Sequence, residues 1–187
     1  MNLLNNTKAY LAGPIENYSD DWRVKITPIL KNLGIKVWDP LVKPSWMFNV
    51  TGDDQKTDRN YINNNFNNLD GTKMSHIFDR NNAIKNVCLR LVSACDFVIC
   101  KISGPSVGTF HELAKANDQN KPVLFFTDNK DKIDSMWRLV QFGNQFEINE
   151  TFFGPMNDLT EYLRKINSGM IEPNKLKWIF LPNNWPS

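Results

Sequence analysis

A chain of 187 residues, 41% hydrophobic and 22% charged, carries enough apolar material for one sizeable core. Its 22 basic and 20 acidic residues nearly cancel to a net charge of +2, which gives no case for a nucleic-acid or membrane-surface binder. No apolar run approaches the ~20 residues of a membrane span, the polar start Met1–Lys8 lacks the apolar stretch of a signal peptide, and three cysteines without a Cys-x-x-Cys pair, beside only two histidines, argue against zinc and for a reduced, cytoplasmic setting.

In chain order, Lys8–Ala12 is the first strand, ended by Gly13-Pro14. Ser19–Leu33 carries a helical stripe of Trp22, Ile26, Ile29, Leu30 and Leu33. Ser19 or Asp20 can cap this helix and Gly34 can end it, while Pro28 inside the stripe predicts a kink or a late start. Ile35–Trp38 is the second strand, closed by Asp39-Pro40. Residues 41–81 then form a long, polar, Asn-rich insert, of the length that functional lids or disordered segments have. Trp46-Met47-Phe48 inside it is either part of a lid that stacks on a base or a core anchor. Asn82–Ala94 returns to helical spacing with Ile84, Val87, Cys88, Leu91 and Val92.

Phe97–Ile102 is a short apolar run, as in a strand buried on both faces. A turn-rich loop, Ser103–Gly108, leads to a helix over Thr109–Asn117, and Pro122–Thr127 is the next strand. Lys130–Val140 reads as helix, Phe146–Ile148 as a fifth strand and Pro155–Ile166 as a last helix. The aromatic end, Lys177–Trp185, must dock on the core, a lid or another subunit, since such a patch is costly to expose. The succession predicts an α/β fold: a doubly wound, flavodoxin-like sheet of about five parallel strands with a long insert after strand 2. The whole chain, 1–187, reads as one domain, with 41–81 as insert and 168–187 as apolar docking tail.

In such sheets ligands bind at the carboxyl ends of the strands, which points to the loop after Ile102 and the helix that follows. Neither a Walker loop nor Gly-x-Gly-x-x-Gly is present, so NTP hydrolysis and dinucleotide binding lose their usual support. Glu112 is the only carboxylate between Asp96 and Asp118, placed by this reading in the first turn of its helix. Two readings compete for it. Thr109-Phe110-His111-Glu112 fits a capping box. Alternatively, a glycine that admits a ligand (Gly108), a helix N-terminus that favours an anion and a glutamate that can attack an electrophilic carbon make a catalytic site. Tyr10 is either a half-buried strand tyrosine or a partner of that site, Cys88 a core cysteine, and His111 a solvated helix residue. Asp39, Asp79 and Arg80 suit turns and caps, yet each lies near the rim of such a site.

Tyr10-Leu-Ala-Gly-Pro-Ile15, Trp22-Arg23, Gly34, Asp39-Pro40, Cys95-Asp96, Pro105-Ser-Val-Gly-Thr-Phe-His-Glu112-Leu-Ala-x-Ala and Lys121-Pro-Val, in that order, resemble the nucleoside 2-deoxyribosyltransferase superfamily. Pro-Ser-x-Gly-x-x-x-Glu-Leu is most similar to the 2′-deoxynucleoside 5′-monophosphate N-glycosidases within it. The resemblance implies an enzyme that cleaves an N-glycosidic bond through a glycosyl-enzyme intermediate. Glu112 would be the nucleophile and Tyr10 the residue that orients it. Gly13, Ile15, Asp39, Ser106, Gly108 and Thr109 would contact the substrate, with Ser106 on a 5′-phosphate. It implies a small nucleotide or nucleoside as partner, no cofactor or metal, and a homodimer or higher oligomer. Three positions depart from the pattern: Cys88 stands where an aspartate assists protonation of the leaving base, and Pro14 and Glu16 stand where the nucleotide hydrolases carry a serine and an arginine. Trp46 of the insert could cover the base, and Asp79 or Arg80 could replace the missing groups. Base exchange and nucleotide binding without turnover remain as alternatives.

Overall fold

The computed structural model describes residues 2–13, 22–40, 85–102, 106–127 and 152–181. Its strands are β1 (Lys8–Ala12), β2 (Lys36–Trp38), β3 (Phe97–Lys101), β4 (Val123–Phe126) and β5 (Phe152–Phe153). Its helices are α1 (Trp22–Asn32), α2 (residues 85–94), α3 (Val107–Asp118) and α4 (Met156–Ser168). All strand pairs are parallel, in the order β2-β1-β3-β4-β5. This is the flavodoxin-like doubly wound order. The chain leaves β1 outward to β2 and returns to the other side of β1 as β3. The carboxyl ends of β1 and β3 therefore flank the switch point, where such sheets bind ligands.

Alternation along the strands feeds two cores. Ala9, Leu11, Phe97, Ile99, Leu124 and Phe126 face α1 and α4, where they meet Ile26, Leu30, Leu159 and Leu163. Tyr10, Ala12, Val98, Cys100, Val123 and Phe125 join the other face with Cys88, Val92, Leu113 and Ala116 of α2 and α3. Burying a side chain of this size stabilises by roughly 1.5–3 kcal/mol, so both layers are needed to hold the central strands. Helices on both faces also explain why these strands read as continuous apolar runs.

Pro28 does not break α1. It lies on the exposed side, and Val24, four residues earlier, is 72% exposed, so water can reach the carbonyl that Pro28 leaves without a donor. Gly34 ends this unit with φ +79°, and a Cβ there would meet Asn5 Oδ1 at 2.5 Å. The last helix is close to its predicted span, and Gly169 closes it in the left-handed conformation. Part of the tail packs on the core: Trp178 and Leu181 are buried and the Trp178 ring lies 5.3 Å from that of Phe97, whereas Ile179 is 75% exposed and residues 182–187 lie outside the described residues. At the start of the chain, the backbone N–H of Leu4 donates to Asn167 Oδ1 at 2.8 Å, tying it to α4.

Some boundaries differ from expectation. The fifth strand seen is Phe152–Phe153; the predicted strand Phe146–Ile148 lies outside the described residues, as do the helix Lys130–Val140, the insert 41–81 and Trp185. Helix α3 begins at Val107, two residues earlier than predicted, because Ser106 caps it: its side chain accepts from the Thr109 backbone N–H at 3.4 Å. No helix among the described residues is long and apolar enough to cross a membrane.

Candidate active site

The early start of α3 removes the capping-box reading of Glu112. With Ser106 as the N-cap, Thr109 is the third helical residue and Glu112 lies in the second turn, beyond reach of a capping box. Glu112 points back to the sheet instead. The Tyr10 hydroxyl donates to its Oε1 at 2.6 Å, across 102 residues of sequence. A hydrogen bond to a charged acceptor contributes about 1.5–3 kcal/mol, enough to hold the carboxylate in one orientation.

Tyr10 is not half-buried but wholly buried, at 0% exposure. Burial raises the pKa of its hydroxyl well above the ordinary value, with Glu112 and then Cys88 adding to the effect. Tyr10 thus remains a neutral donor at any physiological pH. Glu112 is half-buried at the edge of this core. Two thiols stand beside the pair. Cys88 of α2, 8% exposed, shares a hydrogen bond with the Tyr10 side chain. Cys100 of β3 is fully buried, and burial, with the Glu112 charge second, drives its thiol far up, while Arg23 pulls it the other way. The Cys100 thiol is thus not placed as a reactive thiolate.

The other predicted residues cluster at the same carboxyl edge. Gly13 follows β1 with φ +144°, and a Cβ there would approach the Lys101 carbonyl at 3.2 Å, so the chain passes close to the end of β3. Asp39 follows β2 and is paired with Arg23, Nε to Oδ1 3.6 Å. Thr109 is buried, Ser106 is partly buried, and a Cβ on Gly108 would meet no atom of the described residues within 4 Å. Open space thus lies beside the first turn of α3, where backbone N–H groups favour an anion. Ile15, Trp46, Asp79 and Arg80 lie outside the described residues, as do Pro14 and Glu16. His111 is exposed, as predicted.

Other motif positions sit at the opposite edge of the sheet. Asp96 accepts from the Lys8 backbone N–H at 2.7 Å, just before β3 and at the start of β1. Lys121, just before β4, donates to the carbonyls of Val92, Ser93 and Cys95 and so closes the end of α2. These groups hold strands and helices in place and are far along the strands from Glu112. One motif residue near the site was given no role by the sequence. Arg23 is 1% exposed and is buried beside Trp22, Ile26 and Leu30 of the stripe predicted to face the core. A charge three residues before Ile26 and seven before Leu30, on an apolar face, was the available signal.

Residues 9–159 match the family described as nucleoside 2-deoxyribosyltransferase. The chain belongs to that family. Its members act on nucleosides or nucleotides at the glycosidic bond, and the matched span holds Tyr10, Gly13, Asp39 and the whole of α3. Among solved structures, the CMP N-glycosidase BcmB of Clostridium botulinum is similar, with 16% identity over 87% of this chain and 98% of that one and a TM-score of 0.47. A conserved protein from Enterococcus faecalis V583 is 17% identical over 87% of this chain and 88% of that one, with a TM-score of 0.41. No curated protein matches.

Proposed function

We propose that the protein hydrolyses the N-glycosidic bond of a nucleoside or deoxynucleoside 5′-monophosphate, with Glu112 as nucleophile. The observation that carries this reading is the 2.6 Å bond from the Tyr10 hydroxyl to Glu112 Oε1. It fixes a carboxylate at the switch-point edge of the sheet, beside the N-terminus of α3. With Oε1 held, attack on C1′ falls to Oε2. The C1′–N bond breaks as the C1′–O bond forms, through an oxocarbenium-like transition state, and the base leaves with the bonding electrons. Water then attacks C1′, Glu112 departs as carboxylate, and the proton lost by water balances the one the base takes up. The products are free base and sugar 5-phosphate.

The monophosphate is favoured by the first turn of α3. Ser106 and the N–H groups that follow it suit a phosphate, and Gly108 leaves room for one. Gly13, Asp39 and Thr109 complete the substrate contacts in this reading, with Ile15 and Trp46 as further contributors. Hydrolysis is tested by incubating the protein with a panel of ribo- and deoxyribonucleoside monophosphates and following free base by chromatography. Base release from at least one is expected; none, from protein shown to be folded, contradicts the reading. Base exchange is the second reading, favoured by the family to which the chain belongs. An added acceptor base that emerges as a new nucleotide or nucleoside, in place of free sugar phosphate, would support it.

A further inference from the structure

Arg23 is the largest fully buried side chain among the described residues, and no step of the reaction above uses it. It rises from the first turn of α1 into the angle between the ends of β1 and β2. Its Nη2 donates to the Gly13 carbonyl at 2.7 Å, its Nε faces Asp39 Oδ1 at 3.6 Å, and its guanidinium carbon lies 4.8 Å from the centre of the Trp22 ring. One planar cation thus joins the backbone just after one strand to the side chain just after its neighbour. The fork geometry suits arginine and not lysine, which offers a point charge.

Stability alone is a poor account of such a group. The desolvation cost of a buried ion pair offsets most of its attraction, and apolar replacements of both partners are often neutral or better. What the pair does achieve is a fixed spacing between Gly13 and Asp39, two of the proposed substrate contacts. Arg23 also belongs to the same buried neighbourhood as the nucleophile, since its charge and that of Glu112 both bear on the Cys100 thiol.

We propose that Arg23 is a positioning residue for substrate binding, which clamps Gly13 and Asp39 at a fixed separation along the β1–β2 edge of the site. This rests on the reading of the site given above. The bonds of Arg23 described above run to Gly13 and Asp39, and the Tyr10–Glu112 pair keeps its own bond between β1 and α3, so losing the clamp loosens binding more than it slows chemistry.

The test measures kcat and KM for base release, and the Kd of a nucleoside monophosphate on the Glu112→Gln background, with a thermal melt of each protein. Arg23→Met removes both contacts, and Arg23→Lys keeps the charge without the fork. KM and Kd should rise about ten-fold or more for Arg23→Met, the fold-change of one lost charge-assisted hydrogen bond, and less for Arg23→Lys. Arg23→Met alone takes the Arg23 charge away from Asp39 and can cost stability. Arg23→Met combined with Asp39→Asn removes both charges, so its melting temperature should recover while its KM stays well above that of Asp39→Asn alone. A KM that recovers together with stability would make Arg23 merely structural and overturn the proposal, as would an Arg23→Met protein within two-fold of wild type in KM and Kd. A wild-type protein that neither binds nor cleaves any monophosphate overturns the functional reading and this inference with it.

Discussion

Glu112 could not be assigned from its neighbours in the sequence, because Thr109-x-x-Glu112 satisfies a capping box as well as it suits a nucleophile. The partner that settles its geometry, Tyr10, is 102 residues away, and only the parallel pairing of β1 with β3 brings the two ends together. Cys88 was legible as a core residue on the apolar face of α2, but not as a neighbour of the Tyr10 hydroxyl. The resemblance implies an aspartate at this position to protonate the leaving base, a role that a buried thiol fills poorly. Cys88→Asp puts a second carboxyl near Glu112, and such a pair shares charge badly, so one of them stays protonated near neutrality. That group could act as the missing acid, and general acids contribute typically 10²–10⁴-fold. Turnover of the Cys88→Asp protein is therefore expected to rise by about ten-fold or more in the free-base assay. An unchanged or lower rate would mean that the base departs unassisted and Cys88 only packs.

At the scale of elements, the spacing of apolar residues located α1, α3, α4 and the first four strands, since each buries one clear face or both. Boundaries were less legible. The start of α3 was misplaced because Gly108 and the serine and proline before it read as loop, although Ser106 is itself the cap. The clamp through Arg23 was missed because one charged residue on an apolar stripe does not disturb the period. Helix α3 also offers a way to separate ligand space from folding. Gly108 is its second residue, and a Cβ there has no neighbour within 4 Å among the described residues. Gly108→Ala should leave the melting temperature unchanged or raise stability by up to about 1 kcal/mol, since alanine is the better helix former. Its KM should nevertheless rise several-fold if substrate occupies that space. A KM equal to wild type would place the ligand elsewhere.

For the molecule as a whole, the doubly wound order followed from the alternation of strands and helices, and the docking of the aromatic tail from the cost of exposing it. What the tail carries inward was not foreseen. Lys177, beside Trp178, is 4% exposed, and burial pushes its pKa down from 10.5 to about 8. The unfolded chain keeps that proton up to about 10.5, so between pH 8 and 10.5 it binds more protons than the folded one, and stability rises with pH across that window. Below pH 8 the folded protein bears the full cost of a buried ammonium. Lys177→Met should therefore stabilise the protein at pH 7, with an advantage that shrinks as pH rises from 8 to 10.5. Denaturant unfolding of both proteins at several pH values would show it, and a pH-independent difference would contradict it.

The most direct test of the whole account is turnover by Glu112→Gln. The substitution keeps the shape of the side chain and an oxygen to accept from Tyr10, and removes only the attacking carboxylate. With Glu112 as nucleophile, base release should fall by roughly a thousand-fold or more, as when a covalent catalyst is lost, while the melting temperature and nucleotide binding persist. A Glu112→Gln protein that turns over within a few-fold of wild type would contradict the mechanism and leave Glu112 as a structural partner of Tyr10.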